Sequence, residues 1–346
     1  MKTIIIAATL LLVLTAPVHA ALDVSFTLLE CGDHAIVPEE SRPLADQGNA
    51  RAQNNLGCMY AEGRGVTKDE AEAVKWFLKA ADQGHADAQY NLGLMYASGR
   101  GVAKDEAEGA RWVRKATDQG QASAQTVLGV MYLVGLGVVK DRPEGVRLIR
   151  KAADQGHTFA QDSLGFLYLK GLGVWGDAAE AVKWFRKAAD QGYADAQYNL
   201  GVLYAEGRGV EKDKAEAVKW YRMAADQGHV DAQNNLAVIY YTAKEYAEAL
   251  KLWRKAAEQG GAIAQNIVGA MYAGGIGIAK DEAEGVRWFR KSADQGYAEA
   301  QCNLGKIYEI GRGVTKDEAE AIKWYRLAAK AGDARARQAL QRLNAQ

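Results

Sequence analysis

The sequence predicts an all-α fold, an α-solenoid of about eight stacked helix–turn–helix repeats, and two observations lead to this prediction. The first is a unit of 36 residues that recurs along nearly the whole chain; its fifth copy reads ADAQYNLGVLYAEGRGVEKDKAEAVKWYRMAADQGH from Ala194 to His229. The second is the spacing of apolar residues within the unit, which is that of α-helices. A fixed period of this size is typical of a solenoid rather than of one globular core.

The Ala-Gln pair of the unit makes the period easy to follow. It stands at residues 52–53, 88–89, 124–125, 160–161, 196–197, 232–233, 264–265 and 300–301. Only the sixth copy is short, by four residues. We therefore place the repeats at about 49–84, 85–120, 121–156, 157–192, 193–228, 229–260, 261–296 and 297–332. Residues 21–48 are expected to form an N-terminal cap and residues 333–346 a C-terminal capping helix.

Each unit reads as two helices joined by a Gly-x-Gly-Val loop. In the fifth copy, Ala196, Leu200 and Leu203 lie at i, i+4 and i+7, on one face of a first helix. A second helix starts at Asp213, which has capping-box spacing to Glu216. The predicted inward residues of this second helix are Ala217, Val218, Trp220, Tyr221, Ala224 and Ala225. A single hairpin cannot bury all its apolar faces, so the repeats must stack on each other.

The N-terminus predicts export. Lys2 forms a short positive region, residues 4–14 an apolar stretch, and residues 18–20 a small-x-small cleavage site. The apolar stretch is too short for an ordinary membrane span. We expect a signal peptide at residues 1–20, cleaved after Ala20, and a mature chain in the periplasm or secreted from the cell.

The charge balance excludes some partners. The chain has 43 acidic and 43 basic residues, so its formal net charge is zero. Bulk charge therefore does not favour binding to nucleic acid or to an anionic membrane. We expect a monomer that binds a protein or peptide and has no membrane span.

Several residue types recur at one position of each unit, and together they form the pattern A-x-x-x-L-G-x-x-Y…G-x-G-V…D…A…W-x-x-x-A-A-x-Q-G. This pattern resembles the Sel1-like repeat, a relative of the tetratricopeptide repeat, from Asn49 to Gly332. The resemblance implies a right-handed superhelix of antiparallel helix pairs whose first helices line a concave face. It also implies a binding and scaffolding role. Some exported bacterial members are implicated in host interaction, and one cysteine-rich group in binding or hydrolysing β-lactams.

Two departures from the pattern matter. In the sixth repeat, residues 241–245 join the helices directly without the glycine loop. The paired cysteines of the β-lactam-binding group are missing, which weakens the transfer of that activity.

The sequence also contains no Ser-x-x-Lys, Gly-x-Ser-x-Gly, His-Glu-x-x-His or Cys-x-x-Cys motif. We therefore expect a protein that is not an enzyme and that needs no metal or cofactor.

Three cysteines remain in the predicted mature chain. Cys58 and Cys302 lie in the first and last repeats, too far apart to form a bridge. Cys31 and Cys58 could pair in an oxidising compartment. The alternative is that all three are isolated small side chains.

The binding surface of a repeat protein is expected where its copies differ. Repeats three and four differ most, because apolar residues replace the smaller or polar residues found elsewhere. We predict a partner-binding surface of Val130, Leu133, Phe159, Asp162, Phe166, Leu169, Tyr198, Leu136, Leu172 and Trp175. The alternative is local repacking, in which Phe159 or Trp175 fills the space left where Leu148 replaces the tryptophan of the repeat.

These features predict an exported, non-catalytic protein-interaction scaffold whose partner lies in its concave groove. Two alternatives remain open. One is a cell-wall or β-lactam hydrolase or binder. The other is a receptor for a glycan or small molecule that uses Tyr90, Tyr198 and Tyr241 in the groove.

Overall fold

The structure, a computed structural model, describes residue 31 and residues 38–344. The predicted signal peptide at residues 1–20 lies outside the described residues, as do residues 21–30 and 32–37 of the predicted N-terminal cap. Backbone packing divides the chain into two compact units, the first ending at Gln191 and the second beginning at Gly192.

The first unit is built of helices, and within the unit each helix packs against its neighbours in the chain. They are α1 (Pro38–Asp46), α2 (Ala50–Glu62), α3 (Glu70–Asp82), α4 (Ala86–Ser98), α5 (Glu106–Asp118), α6 (Ala122–Val134), α7 (Arg142–Asp154), α8 (Thr158–Lys170) and α9 (Ala178–Asp190). Helix α1 precedes the first repeat and packs on its first helix.

The second unit repeats this arrangement. Its helices are α10 (Ala194–Glu206), α11 (Lys214–Asp226), α12 (Val230–Thr242), α13 (Tyr246–Glu258), α14 (Ala262–Gly274), α15 (Glu282–Asp294), α16 (Ala298–Ile310), α17 (Glu318–Lys330) and α18 (Ala334–Asn344). Helix α18 packs on both helices of the last repeat. The described residues contain no strand, and the predicted all-α solenoid is confirmed. The handedness of its superhelix stays a prediction.

The helix ends follow the capping residues of the repeat. Asp213 is the N-cap of α11, and its side chain accepts hydrogen bonds from the backbone N–H groups of Ala215 and Glu216. The Glu216 carboxylate accepts a bond from the Trp220 indole instead of completing the capping box. In the first helices, the ring Nδ1 of His229 accepts from the Ala232 N–H at 3.2 Å. His85 and His157 cap their helices in the same way.

The second glycine of each loop allows the backbones of successive repeats to approach closely. A Cβ atom at Gly101 would lie 2.1 Å from the Glu70 carbonyl oxygen of the preceding repeat, and one at Gly137 would lie 1.9 Å from that of Glu106. Both glycines also have positive φ. Any other residue at these positions would push the loop off the repeat before it.

A glycine within each first helix brings it close to its own second helix. A Cβ atom at Gly201 would lie 2.5 Å from the Tyr221 ring, and one at Gly57 would lie 2.6 Å from the Phe77 ring. This contact explains why glycine recurs in mid-helix although it lowers helix propensity. In the sixth repeat the pair is Ala237 and Trp253, which lie in one hydrophobic cluster.

The recurring tryptophan joins one repeat to the repeat before it. Trp112 of the second repeat packs in a cluster with Phe77 of the first, and Trp184 of the fourth packs with Ile149 of the third. The tryptophans of the repeat are therefore core residues, as the sequence predicted. Their position is what makes each hairpin depend on its neighbour.

The recurring tyrosine is half-buried, and its hydroxyl is bonded by an arginine of the preceding repeat. Arg114 donates to the Tyr132 hydroxyl at 2.6 Å, Arg150 to Tyr168 at 2.5 Å, and in the second unit Arg222 to Tyr240 at 2.7 Å. This contact adds a polar link on the rim of each apolar inter-repeat cluster.

A ladder of glutamines explains both the Ala-Gln pair and the Asp-Gln-Gly end of the repeat. Buried Gln89 donates to the Ala81 carbonyl oxygen at 3.1 Å and accepts from Gln119 at 2.7 Å. The same link between two glutamines recurs in both units. It ends at the last repeat, because Ala331 stands where the partner glutamine would be. The Gln301 Oε1 atom is buried there without a hydrogen-bond partner.

The sixth repeat joins its helices by a three-residue turn, as its sequence predicts. Lys244 in this turn has φ +68°, a left-handed conformation that glycine usually takes. Tyr241 packs beside it, with its ring centroid 5.1 Å from that of Tyr246 and 5.6 Å from that of Trp253.

Cys31 and Cys58 form a disulfide, with their Cα atoms 5.9 Å apart. Of the two interpretations of these cysteines, the structure thus has the paired one. Cys302 is a buried free thiol in α16, and burial raises its pKa to about 11.

No described helix has both the length and the apolar character needed to span a membrane.

Replacing Gly201 with leucine should destabilise the second unit more than most surface changes. The new side chain would enter the space of the Tyr221 ring, and such overpacking costs about 1–3 kcal/mol. Thermal unfolding followed by circular dichroism measures the effect. Glu206→Leu, at the exposed end of the same helix, is the control. Equal midpoints for the two variants would mean that Gly201 is not at a packed contact.

Replacing Ala331 with glutamine should stabilise the second unit. Residue 331 has φ −80° and ψ 4°, close to the values of −79° and 0° at Gln295, whose amide completes the ladder. A net hydrogen bond to Gln301 Oε1 contributes about 1 kcal/mol. Urea unfolding measures it, with Ala331→Asn, whose amide is too short, as the control. If the asparagine and glutamine variants unfold alike, the ladder does not explain the buried oxygen.

Candidate partner-binding surface

The variable positions of the first helices do not all face open space. In the first three repeats, two of these positions in mid-helix are buried: Tyr90 is 3% exposed, Leu94 0% and Val130 5%. They pack against the first helix of the next repeat, as the shared cluster of Leu94 with Leu128 shows. The expectation that Val130 contacts a partner is therefore corrected, because its side chain belongs to the core.

The variable residue near the start of the first helix is also used within the solenoid. In the second and third repeats, Asp87 and Ser123 contact the residue that caps the first helix of the next repeat. Gln121 donates to Asp87 at 2.7 Å, and the Ser123 hydroxyl lies 3.3 Å from the His157 ring. These polar pairs differ in chemistry from repeat to repeat, but they serve the stacking of the repeats.

The remaining first-helix residues of the predicted surface lie on neighbouring helices of the first unit. Leu133 is on α6, and the other four are on α8: Phe159, Asp162, Phe166 and Leu169. All five are half-buried. The Lys170 ammonium lies 5.8 Å from the centroid of the Phe166 ring. Each of these five side chains is thus partly accessible to solvent, and none is fully exposed.

Leu136 and Leu172 hold their loops onto the preceding repeat. Each is half-buried against a hydrophobic cluster that includes residues of that repeat. In the second repeat the same loop position is Arg100, which forms an ion pair with Glu70 at 3.0 Å. The leucines therefore replace a polar contact with an apolar one. Sequence reasoning missed a third case, Ile276 in the seventh repeat, although the same alignment reveals it.

Trp175 is the most exposed large apolar side chain of the described residues, with 95% of its surface accessible. The alternative in which it fills the space beside Leu148 is therefore wrong. Leu148 is itself 4% exposed and packs in its own cluster.

The next most exposed apolar side chain is Val139, at 89%. It occupies the same loop position as Trp175, one repeat earlier. Sequence reasoning overlooked it because only the first-helix positions and the arginine position of the loop were compared.

Tyr198 lies in the second unit, apart from the other predicted site residues in the chain. Its ring stacks on His229, with 4.6 Å between centroids, and burial raises its pKa to about 12. His229 in turn contacts Asp195 at 3.2 Å, and this hydrogen bond lowers the pKa of the Asp195 carboxyl. One face of the Tyr198 ring is thus occupied by His229.

The other two tyrosines proposed for a glycan site differ in exposure. Tyr90 is 3% exposed and Tyr241 37% exposed. Tyr90 therefore cannot present its ring to a sugar in this structure.

The recurring polar side chains are engaged in structural contacts. His229 uses Nδ1 to cap α12 and Nε2 to contact Asp195, so neither ring nitrogen is left to act as a general base. Helix-start acids such as Glu70 and Glu72 pair with lysine or arginine. Within residue 31 and residues 38–344, no group of histidine, cysteine, aspartate or glutamate side chains could hold a metal ion.

Comparison with known proteins shows which family has these repeats. The family model described as "Sel1 repeat" matches eight segments, at residues 50–85, 86–121, 122–157, 158–193, 194–229, 230–261, 262–297 and 298–333. No functionally curated protein matches the chain significantly.

Two crystal structures are similar to this chain over most of its length. A protective antigen of uropathogenic Escherichia coli strains, with an SLR fold, is 39% identical, with 89% of this chain and 67% of that chain covered and a TM-score of 0.75. A Sel1 repeat protein from Oxalobacter formigenes is 33% identical, with 93% of both chains covered and a TM-score of 0.66. The eight matched segments and these two relatives show that the chain belongs to the Sel1 repeat family.

Proposed function

We propose that this protein is an exported, non-catalytic scaffold that binds a protein partner on its third and fourth repeats. Proteins with these repeats are generally protein-interaction scaffolds. The observation that carries the proposal is the exposure of Trp175, because a tryptophan that is 95% accessible contributes nothing to the core. Tryptophan is also among the residues that contribute most to protein interfaces.

The division between uniform and variable residues supports the same function. The recurring glycine, tyrosine, tryptophan and glutamine residues hold the repeats together. The predicted surface residues of repeats three and four are partly or fully accessible, with the exception of Val130. The proposed surface therefore comprises Leu133, Phe159, Asp162, Phe166 and Leu169, together with the loops that carry Leu136, Leu172 and Trp175.

Export is supported by three features. The first is the leader-like pattern of residues 1–20. The second is the disulfide between Cys31 and Cys58, since disulfides persist in oxidising compartments. The third is that the E. coli relative is a protective antigen. We place the mature protein in the periplasm or outside the cell.

Replacing Trp175 with alanine should weaken partner binding without changing stability. Loss of an interface anchor commonly costs 2 kcal/mol or more, which is well over tenfold in affinity. The partner would first be captured from native extract by the tagged mature chain. Its affinity for the purified wild type and variants would then be measured by calorimetry.

Glu211→Ala, at the equivalent loop position of the fifth repeat, is the matched control. Equal affinity of the partner for the wild type and for Trp175→Ala would mean that Trp175 is not part of the binding site. Phe159→Ser combined with Phe166→Ser then tests the first-helix part of the surface, provided that its melting midpoint is unchanged. A lower midpoint would assign these rings to the core.

The mature chain should begin near Ala21 and contain the Cys31–Cys58 bridge. Mass spectrometry of the native protein, before and after reduction and alkylation, measures both. A chain that retains Met1 would contradict export. If Cys31 and Cys58 are alkylated without prior reduction, the bridge is absent, and the disulfide no longer supports export.

A further inference from the structure

The loops of repeats three and four share an unusual apolar position. The residue after the Gly-x-Gly-Val motif, which is Gly-x-Gly-Ile in the seventh repeat, is Val139 in the third repeat and Trp175 in the fourth. In the other repeats that have this loop, the position holds a small or polar residue: Thr67, Ala103, Glu211, Ala279 and Thr315. Two neighbouring loops thus have exposed apolar side chains at a position where the other repeats have a small or polar residue.

The charge around this position also differs between repeats. In the first, second and seventh repeats the next residue is a lysine that pairs with a glutamate two positions later, as in Lys104–Glu106 and Lys280–Glu282, both at 2.7 Å. In the third repeat Arg142 takes the place of the glutamate. Lys140 therefore lies beside a second cation instead of an acid, and both side chains are exposed.

Within the described residues, neither Lys140 nor Arg142 forms an ion pair with a nearby acid. The Asp141 carboxylate accepts the Glu144 N–H at 3.1 Å as the N-cap of α7. The Glu144 carboxylate is bonded by the Arg147 guanidinium at 2.7 Å, which lowers the pKa of Glu144. In the fourth repeat Asp177 caps α9, and Gly176 replaces the loop lysine.

The loop of the fourth repeat lies against the start of the helix that follows the loop of the third. A Cβ atom at Gly173 would lie 3.1 Å from the Arg142 carbonyl oxygen and 2.9 Å from the Val146 side chain. The loop that carries Trp175 therefore rests on the first turn of α7, where Arg142 is located. Equivalent points of successive repeats are about 10 Å apart, the spacing of packed helices. We call Val139, Lys140, Arg142 and Trp175 the loop ridge.

We infer that the loop ridge binds an acidic peptide segment of the partner protein. Carboxylates of the segment pair with Lys140 and Arg142, and an apolar side chain of the segment covers Trp175 and Val139. This inference rests on the proposed function and specifies the chemistry of its partner. Charge complementarity carries it, because an arginine guanidinium suits carboxylates and an unpaired basic surface attracts acidic partners.

An anionic membrane shares part of this chemistry but fits the ridge less well. Binding at a membrane surface requires several basic residues together with a broad apolar face. The loop of the second repeat, next to the ridge, has its lysine paired with Glu106 and an alanine at the exposed position. The basic and apolar surface is thus two repeats wide, a size suited to a short peptide.

The test is a selection of random 12-residue peptides displayed on phage against the immobilised mature chain. We expect the bound peptides to be enriched in aspartate and glutamate and to contain an apolar residue. Binding of a selected synthetic peptide should weaken at least tenfold in the variant Lys140→Glu with Arg142→Glu, and also in Trp175→Ala. It should also weaken as salt is raised from 50 to 300 mM, since surface charges are screened.

The fifth repeat offers a matched control. Lys212 and Lys214 occupy the same two loop positions there, but the exposed neighbour is Glu211. Lys212→Glu with Lys214→Glu should leave peptide affinity within twofold of the wild type. An equal loss in both double variants would overturn the inference, because bulk charge would then explain binding.

Two further results would also overturn the inference. One is selection of neutral or basic peptides, or of acidic peptides that are insensitive to the ridge variants. The other is Trp175-dependent binding to phosphatidylcholine vesicles with one quarter phosphatidylglycerol, in the absence of peptide binding. Failure of the proposed function differs from both, because the native partner would then bind Trp175→Ala as it binds the wild type.

Discussion

The contact between the mid-helix glycine and the side chain facing it is the constraint on which each repeat depends. Gly57 meets Phe77, Gly165 meets Phe185, and Gly305 meets Tyr325, each with space for no Cβ atom. This closeness sets the distance between the two helices of a hairpin. The position of the second helix then determines where its tryptophan reaches the preceding repeat. The inter-repeat clusters, the tyrosine hydroxyl contacts and the glutamine ladder all follow from that spacing.

These contacts separate the residues that build the solenoid from those available for recognition. Stacking uses the recurring residues and, unexpectedly, several variable ones, as Tyr90 and Val130 show. The loops are less constrained beyond their valine, because Val138 and Val174 still pack on apolar clusters while Val139 and Trp175, which follow them, are exposed. Evolution can therefore change the exposed loop position without cost to packing. Recognition in this protein is accordingly proposed to lie at loop positions as well as on first helices.

Much of the fold could be predicted from the sequence, because helical spacing, caps and the period of 36 residues all agree on it. The site was less predictable. Whether Val130 faces a groove or the next repeat depends on the neighbouring helix, which periodicity does not describe. The pairing of Cys31 depends on the path of a segment outside the repeats. Val139 could have been found by aligning it with Trp175, since both occupy one loop position.

The capping helix after the last repeat limits how such a chain can change in length. A repeat copied into the middle of the array would bring both glutamines of its own link, as Gln89 and Gln119 form it within the second repeat. A copy added after the eighth repeat would instead have to displace α18, which packs on that repeat. Gene duplications that lengthen this protein are therefore tolerated most easily inside the array. The last repeat and its capping helix remain a fixed terminus that successive duplications carry along.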